Sequence, residues 1–177
     1  MKDLRSIYSE FSEKNSNKKF FIFVSIPNQN LILYKDFVKI KEYNISSSKY
    51  GEGSIEGSYK TPLGAHIIKK YIGGNEDIYT IFKNRKPTQH KLKIEEDKIF
   101  LEDDIISSRI LWLEGLEAGK NKGSNLDSFK RYIYIHGTHD EAKLGEKASH
   151  GCIRMGNNDI IDLCNRDIIN TLVYISN

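Results

Sequence analysis

The sequence has little of what announces a specialised protein. Among 177 residues there are two cysteines, three prolines and one tryptophan. Two thiols cannot build a disulfide-dense scaffold. The longest apolar run, FFIFVSI at 20–26, is far too short to cross a bilayer as a helix. Membrane insertion is therefore not expected. Charge of one sign is scarce as well: 27 Lys and Arg against 24 Asp and Glu leave a net +3, spread along the chain. No basic block marks a nucleic-acid groove, so nucleic acid is not an expected partner. The first residues, MKDLRSIYSEFSEKNSNKK, lack the apolar core of an export signal. With Met1 as the native start this predicts a cytoplasmic protein; with a trimmed start, a periplasmic one.

What is present is ordinary globular material, 38% hydrophobic and 29% charged, of a length that suits one full core. Leu4, Ile7, Tyr8 and Phe11 recur at the spacing of one helical face. Residues 1–18 therefore read as a helical extension and 19–177 as one domain. KFFIFVSI, NLILYKD and VKIKEYNISSS are strand-like runs broken by turn signals, and predict an opening antiparallel meander. AHIIKKYI, SRILWLEGLE, KRYIYIHGT and TLVYIS read as further strands, with short β-prone pieces in the middle. AGKNKGSNLDS is expected to be a surface loop. Asn157 or Asn158 is expected to cap a helix over DIIDLCNRDII. The fold class is mainly β, with two or three short helices.

Chemistry concentrates in one window. His136, His139, His150 and Cys152 fall within 17 residues. Cys164 sits among Ile160, Ile161 and Leu163 and reads as a small core residue. Cys152 has different neighbours, His150, Gly151 and Arg154. A free thiol is only about 3% thiolate at neutral pH, so a nucleophilic cysteine needs a base beside it. It also needs backbone donors for a developing oxyanion. His136 ends a strand and Cys152 follows a loop, so folding can bring them together. An activated Cys152 is expected to ionise below the ordinary thiol value. Arg154 can pair with a carboxylate in a fork. The same residues also suit a tetrahedral zinc site, with His136 and His139 three apart. Trp112 reads as core or pocket wall, and His139 as a surface residue or one just behind the site.

YIYIHGT at 132–138, ASHGCIRM at 148–155 and NNDIIDL at 157–163 together resemble the signature of the L,D-transpeptidase catalytic domain, the YkuD-like family. YKTPLGAHII carries a similar Thr-Pro-X-Gly turn at Thr61, Pro62 and Gly64. The resemblance covers roughly 20–176, with a divergent middle at 71–130. It implies a β-sandwich of mixed sheets. Cys152 would be the nucleophile and His136 the general base, with Ser149 and His150 shaping the site. The N–H groups of Gly151 and Cys152 would form the oxyanion hole. Arg154 would fix the loop or bind a substrate carboxylate, and Gly137 and Thr138 would position His136 and border the substrate. No metal or organic cofactor is implied. The implied partners are peptidoglycan stem peptides or muropeptides; no oligomeric state is specified. The stretch 108–155 further resembles a signal-less subgroup that trims tetrapeptides as L,D-carboxypeptidases. The alternatives are L,D-transpeptidation, giving 3–3 cross-links or D-amino-acid exchange, and, remotely, zinc binding or inert muropeptide binding.

Overall fold

The computed structural model describes residues 3–11, 19–93 and 104–177. The amino-terminal periodicity forms helix α1 (Leu4–Phe11), which buries Ile7 and Phe11. The rest of the expected extension, 12–18, lies outside the described residues. Three strands follow as predicted: β1 (Phe20–Ser25), β2 (Asn30–Lys35) and β3 (Val38–Ser46), paired antiparallel. Alternation sorts their faces. Ile22 and Val24 point into the main core with Leu31, Leu33, Tyr43 and Ile45. Phe21 points the other way and packs in a second cluster with Ile7 and Phe11 of α1.

The remaining strands close a circuit. β4 (Gly64–Ile72) pairs with β7 (Ile106–Gly115), and β7 with β8 (Tyr134–Thr138), all antiparallel. β8 runs parallel to β9 (Ile153–Met155), and β9 antiparallel to β3. β10 (Leu172–Ser176) lies between β1, parallel, and β4, antiparallel. The mixed, mainly β expectation holds, but among the described residues the strands form one continuous sheet, closed on itself by the β4–β7 pairing, and not the separate sheets of the expected sandwich. The hairpin of β5 (Thr80–Lys83) and β6 (Lys86–Lys91) hangs from the start of β7. Its turn uses Asn84 and Arg85 with φ of 52° and 66°, as a tight hairpin of this twist requires. Residues 94–103, part of the divergent middle, lie outside the described residues.

Helix α2 (Asn157–Cys164) buries Ile160, Leu163 and Cys164, so Cys164 is the core residue its neighbours predicted. Its cap differs from expectation: Gly156 occupies the N-cap and offers no side chain, and Glu141 Oε1, from outside the helix, accepts the Asn157 N–H at 2.7 Å. Asn157 turns inward instead. Its Oδ1 accepts the hydroxyls of Ser107 (2.7 Å) and Ser108 (2.6 Å). Its Nδ2 donates to the Thr138 carbonyl and to Glu141 Oε1, each at 2.7 Å. All four bonds an asparagine amide can make are made. That bracket ties a bulge in β7 to the end of β8 and the start of α2. Among the described residues no helix is long and apolar enough to cross a membrane.

Candidate active site

β8 and β9 carry the site side by side. Their parallel register pairs Ile135 with Ile153 and His136 with Arg154. Ile135 and Ile153 belong to the main core. By the pleat, Tyr134, His136 and Arg154 take the opposite face. Cys152, one residue before β9, packs on that face against the cluster of Trp112 and Tyr134. A chain separation of 16 residues thus becomes a diagonal between neighbouring strands.

His136 is fully buried. Its Nδ1 lies 2.8 Å from the Gly137 carbonyl. A carbonyl only accepts, so Nδ1 carries the hydrogen and neutral imidazole presents its lone pair at Nε2. Nε2 is buried and has no partner among the described residues. Burial lowers the proton affinity of the ring, opposed by the nearby Asp104 carboxylate and by the bond to Gly137. The ring is therefore neutral near neutral pH, with an uncommitted base site.

Cys152 lines an open cavity of about 260 Å³, together with Tyr59, Arg131, Tyr132 and His150. Its thiol donates weakly to the Tyr132 carbonyl at 3.5 Å. Burial pushes the thiol up to about 12, and Asp104 adds to the rise. This corrects the expectation of a thiol that ionises early. The thiol and the imidazole are therefore both neutral near neutral pH.

The loop that presents Cys152 is built from its own residues. Ser149 is buried; its Oγ donates to the Cys152 carbonyl at 2.5 Å and accepts the Gly151 N–H at 3.2 Å. Gly151 has φ +125°, a conformation that side chains with a Cβ rarely adopt. Thr61 of the Thr-Pro-X-Gly turn donates its hydroxyl to the Gly151 carbonyl at 3.0 Å. The Gly151 N–H is thus already engaged by Ser149, which counts against its expected oxyanion role. His150 stands at the cavity rim, its ring 5.9 Å from Tyr50 and 6.3 Å from Tyr59.

Three further expectations change. Arg154 is buried, and its Nε donates to Asp104 Oδ1 at 2.8 Å. Its head group is committed inside the protein to Asp104 and does not line the cavity. Gly137 faces Ser107 and Asn157: a Cβ there would stand 2.6 Å from the Ser107 carbonyl oxygen and 2.8 Å from Asn157 Oδ1. Thr138 is buried, its carbonyl held by Asn157. Only Gly137 touches the His136 ring, through its carbonyl, and neither residue lines the cavity. Trp112 forms the wall behind Cys152, with Nε1 on the Phe129 carbonyl at 2.9 Å and its ring stacked on Phe129 at 4.3 Å. His139 is half-buried beside the site. Among the described residues no group of three or more His, Cys, Asp or Glu is placed to hold a metal ion. His136, His139, His150 and Cys152 therefore do not converge as ligands.

Sequence reading missed Asp104. It bonds Arg154, accepts the His150 N–H at 3.4 Å and lies 3.5 Å from His150 Nδ1. Burial works against its charge, but His136 and Arg154 outweigh it and hold its carboxyl below the usual range. Nothing local in LEDD at 101–104 signals this. Arg131 was also missed: it donates to the Lys60 carbonyl at 2.8 Å and the Gly53 carbonyl at 3.3 Å, tying the 53–60 loop to the cavity.

A mixed β domain with a histidine on one strand and a cysteine just ahead of the parallel strand beside it has the layout of a cysteine enzyme. The particular family follows from comparison. The L,D-transpeptidase catalytic domain model (YkuD) matches residues 19–175, and the chain belongs to that family. Solved structures share the fold. An L,D-transpeptidase from Mycobacterium smegmatis is 12% identical, with TM-score 0.53, over 90% of this chain and 59% of its own. L,D-transpeptidase 3 from Mycobacterium tuberculosis, in complex with a faropenem-derived adduct, is 15% identical, with TM-score 0.56, over 90% and 60%. A cysteine-to-serine mutant of the Enterococcus faecium L,D-transpeptidase is 16% identical, with TM-score 0.53, over 89% and 50%. The chain thus spans 50–60% of the length of these proteins. No curated protein sequence matches the chain.

Proposed function

We propose that the chain is a cysteine-dependent peptidoglycan stem-peptide enzyme acting as an L,D-carboxypeptidase. It cleaves the bond between the L centre of the third residue, meso-diaminopimelate, and D-alanine at the fourth. One observation carries this reading: the bare, buried Nε2 of His136 on the face of the β8–β9 pair where the Cys152 sulfur meets a cavity. As Sγ attacks the carbonyl carbon, its proton passes to Nε2 and its electron pair forms the C–S bond. The Cys152 N–H is the donor for the oxyanion. The C–N bond then breaks and the leaving D-alanine amine takes the proton from Nε2. Water, deprotonated at Nε2, attacks the thioester; a tripeptide leaves and the thiol is restored.

The hydrolytic choice is supported by the likeness of 108–155 to the tetrapeptide-trimming subgroup. The cross-linking alternative, in which an amine replaces water, is favoured by the family and by the names of its structural neighbours. Incubation with a disaccharide tetrapeptide, alone and with an amine acceptor, separates them by mass spectrometry. Loss of one alanine by hydrolysis is the expected result. A cross-linked dimer or exchanged D-amino acid overturns the carboxypeptidase reading, and no change in either mixture overturns both.

A further inference from the structure

We propose that Asp104 is a positioning residue for the reaction: through Arg154 and His150 it fixes the Cys152 loop, and its charge sets the proton balance between Cys152 and His136. The proposal rests on the Cys152–His136 reading above, and extends it to a carboxylate that the motif does not contain.

The geometry is that of a bracket. Asp104 lies two residues before β7, whereas Arg154 lies on β9 and His150 in the loop before it. One carboxylate oxygen takes Arg154 Nε at 2.8 Å. The other takes the His150 backbone N–H at 3.4 Å, with His150 Nδ1 at 3.5 Å. Cys152 is the middle one of the three residues between these two anchors. The carboxylate therefore holds both sides of the nucleophile from the segment that leads into β7. Arg154 itself is almost fully buried, at 4% exposed, and a buried guanidinium requires a partner. Its second carboxylate, Asp140, stands at 4.0 Å, a longer and weaker contact.

Charge follows from the same placement. His136 is faced by Asp104, Arg154 and His139, and Cys152 by Asp104, Arg154 and Arg131. Asp104 is the negative group common to both, and it favours protonation of each. During attack the proton crosses from sulfur to imidazole. A fixed anion stabilises the imidazolium formed, and Arg154 beside it limits the penalty on the developing thiolate.

The test is Asp104→Asn, which keeps an oxygen for Arg154 and removes the charge. The rate of Cys152 alkylation by iodoacetamide is followed against pH, with peptide mass spectrometry separating it from Cys164. The midpoint is expected to fall by about one pH unit, making alkylation about tenfold faster below it. Both limbs of the kcat/KM profile on the tetrapeptide should move to lower pH in parallel. Asp104→Glu should restore the wild-type midpoint, and Asp140→Asn should leave it in place. A folded Asp104→Asn with an unmoved midpoint overturns the proposal, as does an equal shift in Asp140→Asn. Should the asparagine variant fail to fold, the unaltered protein decides by NMR. The Asp104 carboxyl carbon should show an inflection at the midpoint of the His136 ring; its absence overturns the proposal. Alkylation needs no substrate, so the two readings fail separately. A shifted midpoint without any tetrapeptide turnover supports Asp104 and removes the substrate reading.

Discussion

Two buried histidines in this protein are set up almost alike and end differently. His66 on β4 and His136 on β8 are both fully buried, and each has Nδ1 on a backbone carbonyl, at 3.0 Å and 2.8 Å. At His66 the second nitrogen also has its bond, with Ser128 Oγ at 2.9 Å. At His136 the second nitrogen has none among the described residues. His66 Nε2 therefore takes the Ser128 hydroxyl proton and is satisfied, a clasp between β4 and the loop ahead of β8. Burial pushes it down to about 4, with only weak opposition from Gly64 and Glu117. His136 has Asp104 as a counterweight and the Cys152 face beside it. Burial does not distinguish these two histidines; the second nitrogen does, bonded at His66 and without a partner among the described residues at His136.

The cysteines give the same contrast and the sharpest test. Burial pushes both Cys152 and Cys164 up to about 12, so acidity does not separate them. Only Cys152 meets the cavity. Cys152→Ala should abolish D-alanine release while keeping the melting transition. Cys164→Ala should keep turnover and lose about 1 kcal/mol of stability as a small core truncation. Turnover retained in Cys152→Ala would remove the nucleophile.

The histidine pair is next. His136→Ala should lower kcat by about 10²–10⁴-fold, whereas His66→Gln should stay within a few fold at neutral pH. A loss under about tenfold for His136→Ala in steady-state assays would count against its role as base.

Acid should reveal the clasp at His66. Its unfolded value is the ordinary 6.5 and its folded value about 4, so between these the unfolded state binds more protons. Stability present above pH 6.5 should fall by on the order of 3 kcal/mol on the way to pH 4, and then level off for this group. Denaturant titrations across that range should show the slope, and His66→Gln should flatten it. A smaller effect is expected from Asn157→Ala, about 2 kcal/mol, because it leaves the Ser107 and Ser108 hydroxyls and the Thr138 carbonyl to find other partners. Its activity should fall as well, since the bracket secures the end of β8. Urea midpoints and D-alanine release measure both.

Much of this was legible from the chain. The α1 face at Leu4, Ile7, Tyr8 and Phe11, the β1–β3 meander and the terminal strand lie where periodicity put them. Strand β8 starts later than its apolar run suggests, because Tyr132 takes φ +58° before the ladder begins. Asn157 looked like a cap because asparagine favours that position. Burying its amide within a complete set of four partners proved the better solution here.

The sequence by itself determined the strand and helix periodicities and the local chemistry of HGT and SHGCIRM, because those depend on neighbours along the chain. Only the tertiary structure decided that Arg154 is held by Asp104, that the Gly151 N–H is taken by Ser149, and that the Cys152 thiol resists ionisation. These depend on which groups are brought within a few ångströms and on how completely water is excluded. Spacing along the chain encodes neither.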